Sequence, residues 1–583
     1  MKRIAIVLAL MVLCSMVNAQ AVVHSQDDPN FSMKCKTGQY LKYTITSNES
    51  PYTVTINGIK GDTENIKKIE IPATVHYRNN DYAVTTINRN AFSDISTLTS
   101  VTIPQTVKEI KAEAFKGCSA LKTIKIGGTI EHCGENAFAG TAITKPMYTG
   151  NNLVYYPSNM AEYKVNEGTE AILEYAFGNC TEMTSITIPA SVKTIYITSF
   201  DKCNKLANIV VADGNRTYDS RNDCNAIVLS AENKIVRGCS NSTIPNGITS
   251  IGRNAFANIP LQKIDISNTV ATIEDSAFYN CELTSITIPE SVTKIGASAF
   301  IRNKKLAVVN FNAINCKPMD NKYPAFEHCM ALISVNFGEK VKIVPAFSFM
   351  KCEELRYATL SNSITEIGDK AFFECKMLSY LELPNSVEKI GLQAFYDSGI
   401  SEPVHSEHLF AYFPPDYAEE YAIPEGITKI AQRAFHYAGH IKSISLPNSV
   451  KEIEPFAFSE CYDIESITMS NTIEKIGHRA FMYCTKLKTI TLPNTLKDID
   501  DEAFMGCETM ENIIIPNSVT EINSKVFLGS GLKTITLPQS ITKISETAFV
   551  ECPKLKTINI PKGTMSQFKG MLNSEYHSKL KEK

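Results

Sequence analysis

The sequence has no tryptophan among its 583 residues, although it carries 24 tyrosines and 27 phenylalanines. Without indole rings, any stacking on a flat ligand falls to tyrosine, whose ring is apolar and whose tip is polar. Excess charge is lacking as well: 58 Lys and Arg face 61 Asp and Glu, a net charge of -3. That balance excludes a nucleic-acid polymer or an anionic membrane surface as the main electrostatic partner. Long apolar runs are also missing. Ile4 to Cys14 is an unbroken run of eleven, short of the roughly 20 needed to span a bilayer, and no later stretch reaches that length. There is no G-x-S-x-G elbow, phosphate loop or zinc-protease motif. Asp and Glu fall at variable positions, so no glycosidase pair stands out. No catalytic residue, cofactor or metal is assigned.

At 44% apolar and 20% charged residues, the composition is that of a folded chain. Its first twenty residues read as a leader. Lys2 and Arg3 precede the apolar run, and Val17-Asn18-Ala19 places small residues for cleavage before Gln20. Acylation at Cys14 would require a small residue where Leu13 stands. Export is therefore expected, to the cell surface or the medium, with the periplasm also open.

A repeat governs the remainder. Ala-Phe or a close variant recurs with Phe at 92, 115, 138, 177, 200, 256, 278, 300 and 326. It continues at 349, 372, 395, 435, 458, 481, 504, 527 and 549. Ten of the seventeen spacings are 23 residues and three are 22, which replaces the roughly four domains that length alone suggests with one array of eighteen or more units. Leu98 to Ala120 reads LTSVTIPQTVKEIKAEAFKGCSA. Val101-Thr102-Ile103 alternates with period two, predicting a short strand with Val101 and Ile103 inward. Pro104 ends the ladder. The rest of the unit returns to the next strand, bending inward at Phe115. One unit cannot bury so many apolar groups alone, so the copies must stack.

The pattern L-x-x-I-x-I-P-x-S-V-x-x-I-x-x-x-A-F-x-x-C resembles the BspA-like leucine-rich repeat of bacterial surface proteins. Further copies are LTSITIPESVTKIGASAF from Leu283 and LKTITLPNTLKDIDDEAFMGC from Leu487. The resemblance covers roughly Ile66 to Pro561. It implies a repeat solenoid with a parallel β-sheet on one face and, for function, a surface protein that binds or adheres to host matrix. Leucine-rich arrays bind many unrelated partners, so the fold alone does not choose one.

Three spacings, of 39, 56 and 40 residues, break the rhythm, placing insertions near 141–170, 212–240 and 399–424. The first and third are alike: LVYYPSNMAEYKVNEGTEAI from Leu153 against LFAYFPPDYAEEYAIPEGITKI from Leu409. They are either longer coils of a second repeat subtype or aromatic contact sites standing proud at Tyr155, Tyr156, Tyr412 and Phe413. Residues 20–65 are expected to form an N-terminal β cap, and 562–583 a helical cap with Phe568, Met571 and Leu572 on one face.

Beyond Cys14 there are sixteen cysteines. Eleven lie three residues after a repeat Phe and read as small buried hydrophobes, reduced and stacked in ladders. Cys133 and Cys239 also take inward repeat positions, leaving Cys35, Cys224 and Cys316 outside the core. His405, Glu407, His408, His436 and His440 crowd the third insertion. Their spacing matches no metallopeptidase helix, and they read as solvated side chains on turns.

The outward third position of the strand is mostly Ser, Thr or Asn along the expected concave sheet. The aromatic exceptions are Tyr357 and Tyr380, with Arg356 beside the first and Glu382 beyond the second, predicted on adjacent strands; Lys263 and Val308 also break the column. These four residues and the aromatic insertions are the candidate partner-binding residues. The expected function is a non-enzymatic binding or adhesion scaffold for a protein or glycan, host matrix included. The alternative is an exported enzyme or accessory of polysaccharide processing that uses the insertions.

Overall fold

The computed structural model describes residues 29–158 and 160–583. The leader expected at residues 1–19, with Cys14, lies outside the described residues. In the unit beginning at Leu98, the alternating segment is the strand Ser100–Ile103, with Val101 and Ile103 buried. It pairs in parallel with Thr123–Ile126, Ser100 opposite Thr123, so the register advances by one repeat. The chain then makes a second strand, Glu109–Ile110, parallel to both Thr86–Ile87 and His132–Cys133. Two residues are too few to show alternation, so periodicity alone does not predict this second sheet.

The third side of each coil is a turn. Glu113 and Gly117 have φ of 60° and 75°, and between them Ala114 and Phe115 point inward, fully buried. The N–H groups of Glu113, Phe115 and Gly117 donate to the carbonyls of Glu135, Ala137 and Ala139 at 2.9, 2.8 and 2.8 Å. The same register recurs at Arg479, Phe481 and Tyr483, bonded to Asp501, Ala503 and Met505. Arg479 and Tyr483 are again left-handed, at 54° and 59°. Such φ values disfavour residues other than glycine, and they persist because hydrogen bonds to the next coil over-determine the turn.

The inward rings stack one per coil. Phe458–Phe481 and Phe481–Phe504 have centroids 5.2 and 5.3 Å apart, with planes 4° and 5° from parallel.

All sixteen cysteines among the described residues are free thiols, and only Cys316 is not buried. Their role is more specific than filling space. The thiol of Cys118 donates to the carbonyl of Phe92 at 3.0 Å, Cys375 to Phe349 at 3.1 Å, and Cys461 to Phe435 at 3.0 Å. Each thiol therefore caps the carbonyl of the preceding coil's Phe. Where cysteine is replaced, Asn303 donates to Phe278 instead, at 2.7 Å. Cys35 and Cys224 were expected outside the core, but both are buried within hydrophobic clusters.

The chain divides into two compact units. One comprises the described residues from 29 to 160, with Asn166–Thr181 and Ser191–Cys203; the other comprises Ala161–Val165, Glu182–Ala190 and Asn204–Lys583. Each is built from the same parallel-stranded coil.

The insertions are hairpins that restart the short-strand sheet. Met147–Thr149 pairs antiparallel with Asn152–Tyr155, which then runs parallel to Ala171–Ile172. Val404–His405 and Leu409–Tyr412 repeat this arrangement, rejoining at Lys429–Ile430. Tyr156 and Phe413 are fully buried. Their N–H groups bond the carbonyls of Ala176 and Ala434, both at 2.7 Å, and their rings pack on Phe177 and Phe435 at 5.2 and 4.8 Å. The expectation that they stand proud is therefore corrected: both belong to the core because the hairpin turns them inward. Tyr155 and Tyr412 are half-buried. The insertions are longer coils.

Near the N-terminal side, Thr53–Lys60 pairs antiparallel with Tyr40–Ser47 and parallel with Asn80–Ile87. At the other end, the helix Met565–Met571 buries Phe568. It is shorter than expected, because Leu580–Glu582 forms a strand parallel to Thr557–Ile560. Between them the Tyr576 hydroxyl donates to the Phe549 carbonyl at 3.1 Å, the bond a cysteine of a further coil would make.

Candidate functional site

The outward face of the longer strands is polar and bonds to itself. Asn208 Nδ2 donates to Ser185 Oγ at 3.2 Å, and Asn336 Nδ2 to Asn310 Oδ1 at 3.0 Å, each one coil back. A strip whose hydrogen bonds are already made offers a partner little enthalpy. Its large exposed side chains include the aliphatic Val210 and Ile514, which are not the aromatic or Arg anchors on which interface energy depends.

The strip changes at Tyr357. This residue opens the strand Tyr357–Thr359 opposite Ser334, and its side chain is 63% exposed. Tyr380 is 64% exposed, and Arg356 and Glu382 are exposed as well. The expected strand pairing between the two tyrosines does not form, because Leu378–Leu383 lies outside any strand. That segment borders the third insertion, where the chain folds into an antiparallel hairpin rather than another parallel strand. The next strand of the longer face is Glu420–Ala422, beyond that insertion.

Exposed apolar residues extend the patch. Met330, Ile333 and Met377 are 59%, 41% and 48% exposed. Ile333 directly precedes Ser334, and its carbonyl accepts the Tyr357 N–H at 3.0 Å. These three occupy variable positions flanking the first Leu of the unit. In the sequence they could have been found only as apolar residues where other units carry polar ones. Exposed apolar side chains clustered over three successive coils are the kind of surface that marks an interaction site.

The half-buried Tyr412 instead forms one side of a cleft of about 560 Å³ with Tyr396, Tyr417 and Tyr437. The histidines of this region do not converge. Among the described residues, no group of three or more His, Cys, Asp or Glu is placed to hold a metal. His436 was expected to be solvated, yet it is half-buried. Its Nδ1 lies 2.7 Å from Ser459 Oγ, and its Nε2 accepts from Arg433 Nη1 at 2.8 Å. Burial, aided by the Arg433 charge, pushes its pKa down. His440 lies 3.1 Å from Asp416 at the surface. The Ser459 hydroxyl that pairs with His436 is fully buried, out of reach of a ligand, and the exposed rings of the cleft offer contact and stacking.

Among the described residues, no helix is long and apolar enough to cross a membrane. The sequence matches the BspA type leucine rich repeat region over residues 61–152, 85–207, 147–224, 235–322, 321–412, 406–509 and 497–578. Solved structures with the same repeat include a leucine-rich repeat protein from Eubacterium ventriosum. It is 23% identical, with 67% of this chain and 98% of that one covered and a TM-score of 0.44. A leucine rich cell surface protein from Faecalibacterium prausnitzii is 20% identical, with 94% and 99% covered and a TM-score of 0.32. A leucine-rich repeat protein from Bacteroides ovatus is 21% identical, with 93% and 98% covered and a TM-score of 0.32. A search of curated proteins finds no match.

Proposed function

The chain belongs to the BspA-type leucine-rich repeat family, and from that premise we propose that it is an exported, non-enzymatic scaffold that binds a protein partner through its longer-strand face. The observation that carries this reading is the 63% exposure of Tyr357 on a face whose third strand position is mostly Ser, Thr or Asn. Met330, Ile333, Met377 and Tyr380 widen it into a patch with Arg356 and Glu382 at its side. An aromatic anchor with apolar neighbours and polar groups near it is the usual composition of an interface centre. The leader read at residues 1–19 supports export to the surface or medium, where matrix proteins of a host are the natural class to screen.

The test begins with binding of the purified chain to a panel of extracellular matrix proteins. For any partner found, Tyr357→Ala with Tyr380→Ala should weaken affinity at least tenfold, about 1.4 kcal/mol. Full affinity in the double variant would overturn the sheet-face site. Turnover of an added polysaccharide by the purified chain would overturn the non-enzymatic reading in favour of a processing enzyme.

A further inference from the structure

The first and third insertions build the same niche with different walls. In both, a tyrosine packs against the repeat Phe seventeen residues before it. Tyr155 lies 5.3 Å from Phe138 at 56°, and Tyr412 lies 5.9 Å from Phe395 at 55°. Around Tyr155 the positions that follow each repeat Phe are small or polar: Ala139, Gly140, Gly178 and Asn179. The matching positions around Tyr412 are Tyr396, Asp397, His436 and Tyr437. The coil thus closes without large side chains there. The aromatic rings of the third insertion are additional to what the fold requires.

Those rings are held in place. Tyr396 stacks on Phe373, with centroids 5.5 Å apart and planes 15° from parallel. Tyr417 stands edge-on to Phe413 and Tyr421, at 5.6 and 5.9 Å. Tyr396 and Tyr437 lie 6.3 Å apart at 63°. All three of Tyr396, Tyr417 and Tyr437 are 37–44% exposed. Fixed, partly exposed rings lose little entropy when a ligand docks on them.

The polar groups at the cleft narrow the ligand class. Asp397 and Asp416 line it, and among the described residues lining it there is no Lys or Arg. An anionic ligand would meet two carboxylates, Asp416 with His440 3.1 Å away, and no Lys or Arg among the described lining residues. A quaternary ammonium would meet Tyr396 and Tyr437 as one wall, with Tyr412 and Tyr417 as the other rings of the cleft, and it is the competing ligand of the test. What fits is a neutral molecule with flat apolar faces and hydroxyls at its rim. A pyranose ring can stack its C–H face on tyrosine while carboxylates accept from its hydroxyls.

We propose that the cleft between Tyr396, Tyr412, Tyr417 and Tyr437 is a binding site for neutral hexose or pentose units of a polysaccharide. It is distinct from the Tyr357 patch, and it stands or falls independently of that reading.

The experiment uses the full mature chain and a panel of neutral oligosaccharides (gluco-, xylo-, manno- and galacto-oligomers), with choline chloride as a separate arm. Binding is read by calorimetry and by tyrosine fluorescence, which is free of tryptophan background here. The test variant combines Tyr396→Ala, Asp397→Gly and Tyr437→Asn, giving three of the four matching positions of the third niche the residues of the first and keeping His436. Because Gly140 and Asn179 already hold left-handed φ of 72° and 61° at the equivalent positions, the fold should tolerate the change. Should the melting temperature nevertheless fall, Tyr437→Asn alone replaces it. At least one oligosaccharide should bind, and the variant should weaken it tenfold or more, while Tyr357→Ala with Tyr380→Ala leaves it unchanged. The proposal is overturned if no neutral saccharide binds, if the cleft variant binds as well as the parent, or if choline binds and saccharides do not.

Discussion

The thiol of Cys484 donates to the carbonyl oxygen of Phe458, 3.2 Å away in the preceding coil. The same carbonyl accepts the N–H of Cys461 at 3.3 Å, so one oxygen ties two coils together. Cysteine suits the position because it is small, mostly apolar and carries one weak donor. Removing that donor with Cys484→Ala should cost about 1–3 kcal/mol, from the lost bond and the small void it leaves. Chemical denaturation of the variant checks this. A change under about 0.5 kcal/mol, the level of an inconsequential substitution, would reduce the thiol to a space-filler.

These buried thiols should be silent in the native state. Burial raises the pKa of Cys118 to about 11, and those of Cys281, Cys329 and Cys507 to about 12, from an ordinary 9.0. The thiolate is the reactive form, so alkylation at neutral pH should spare them, and denaturant without reductant should expose them all. Mass spectrometry that finds most of them in disulfides would overturn the stacking.

The same shifts make the fold sensitive to alkali. In the unfolded chain these thiols ionise near pH 9, while in the folded chain they hold their protons to about 12. Their contribution to stability is therefore complete below pH 9 and drains away between 9 and 12. Melting temperatures measured across that window should fall steeply. Replacing Cys281, Cys329 and Cys507 together by serine should flatten the fall.

His436 acts at the other end of the scale. Burial and the adjacent Arg433 lower its pKa below the ordinary 6.5, so below that pH the unfolded chain binds a proton that the folded chain resists. Its contribution is present above pH 6.5 and is lost as pH falls through the lowered folded value. His436→Gln should make stability less dependent on pH below 6.5, with little change at pH 7.5.

Phe481 sits mid-stack between Phe458 and Phe504 and is fully buried. Phe481→Ala should cost about 3–5 kcal/mol, as for other large-to-small core changes. A loss under about 1 kcal/mol would place the ring outside the core.

Much of this architecture can be read directly in the residues, for a physical reason. A 23-residue period with Val101, Ile103, Ile110 and Phe115 inward repeats often enough that each position reports its own burial. The second sheet is invisible to periodicity because Glu109–Ile110 is too short to alternate. Thiol donation escapes because composition shows that Cys118 is small and apolar, but not that a carbonyl lies one coil behind it. Tyr156 and Phe413 mislead because an aromatic-proline step in an insertion looks like a surface loop, and only the hairpin register turns the ring inward. Tyr357 was identifiable by contrast with its column. Met330, Ile333 and Met377 were not, since their columns vary.

The thiol-to-carbonyl bonds have a further consequence. Toward the C-terminal end, Cys461, Cys484, Cys507 and Cys552 each guard a different rung. A stack that contacts only its neighbours can fray from its end one rung at a time. Each rung that opens bares one sulfur at a known address. The chain thus carries its own odometer, and the order in which those four sulfurs pick up label records how far unwinding has travelled.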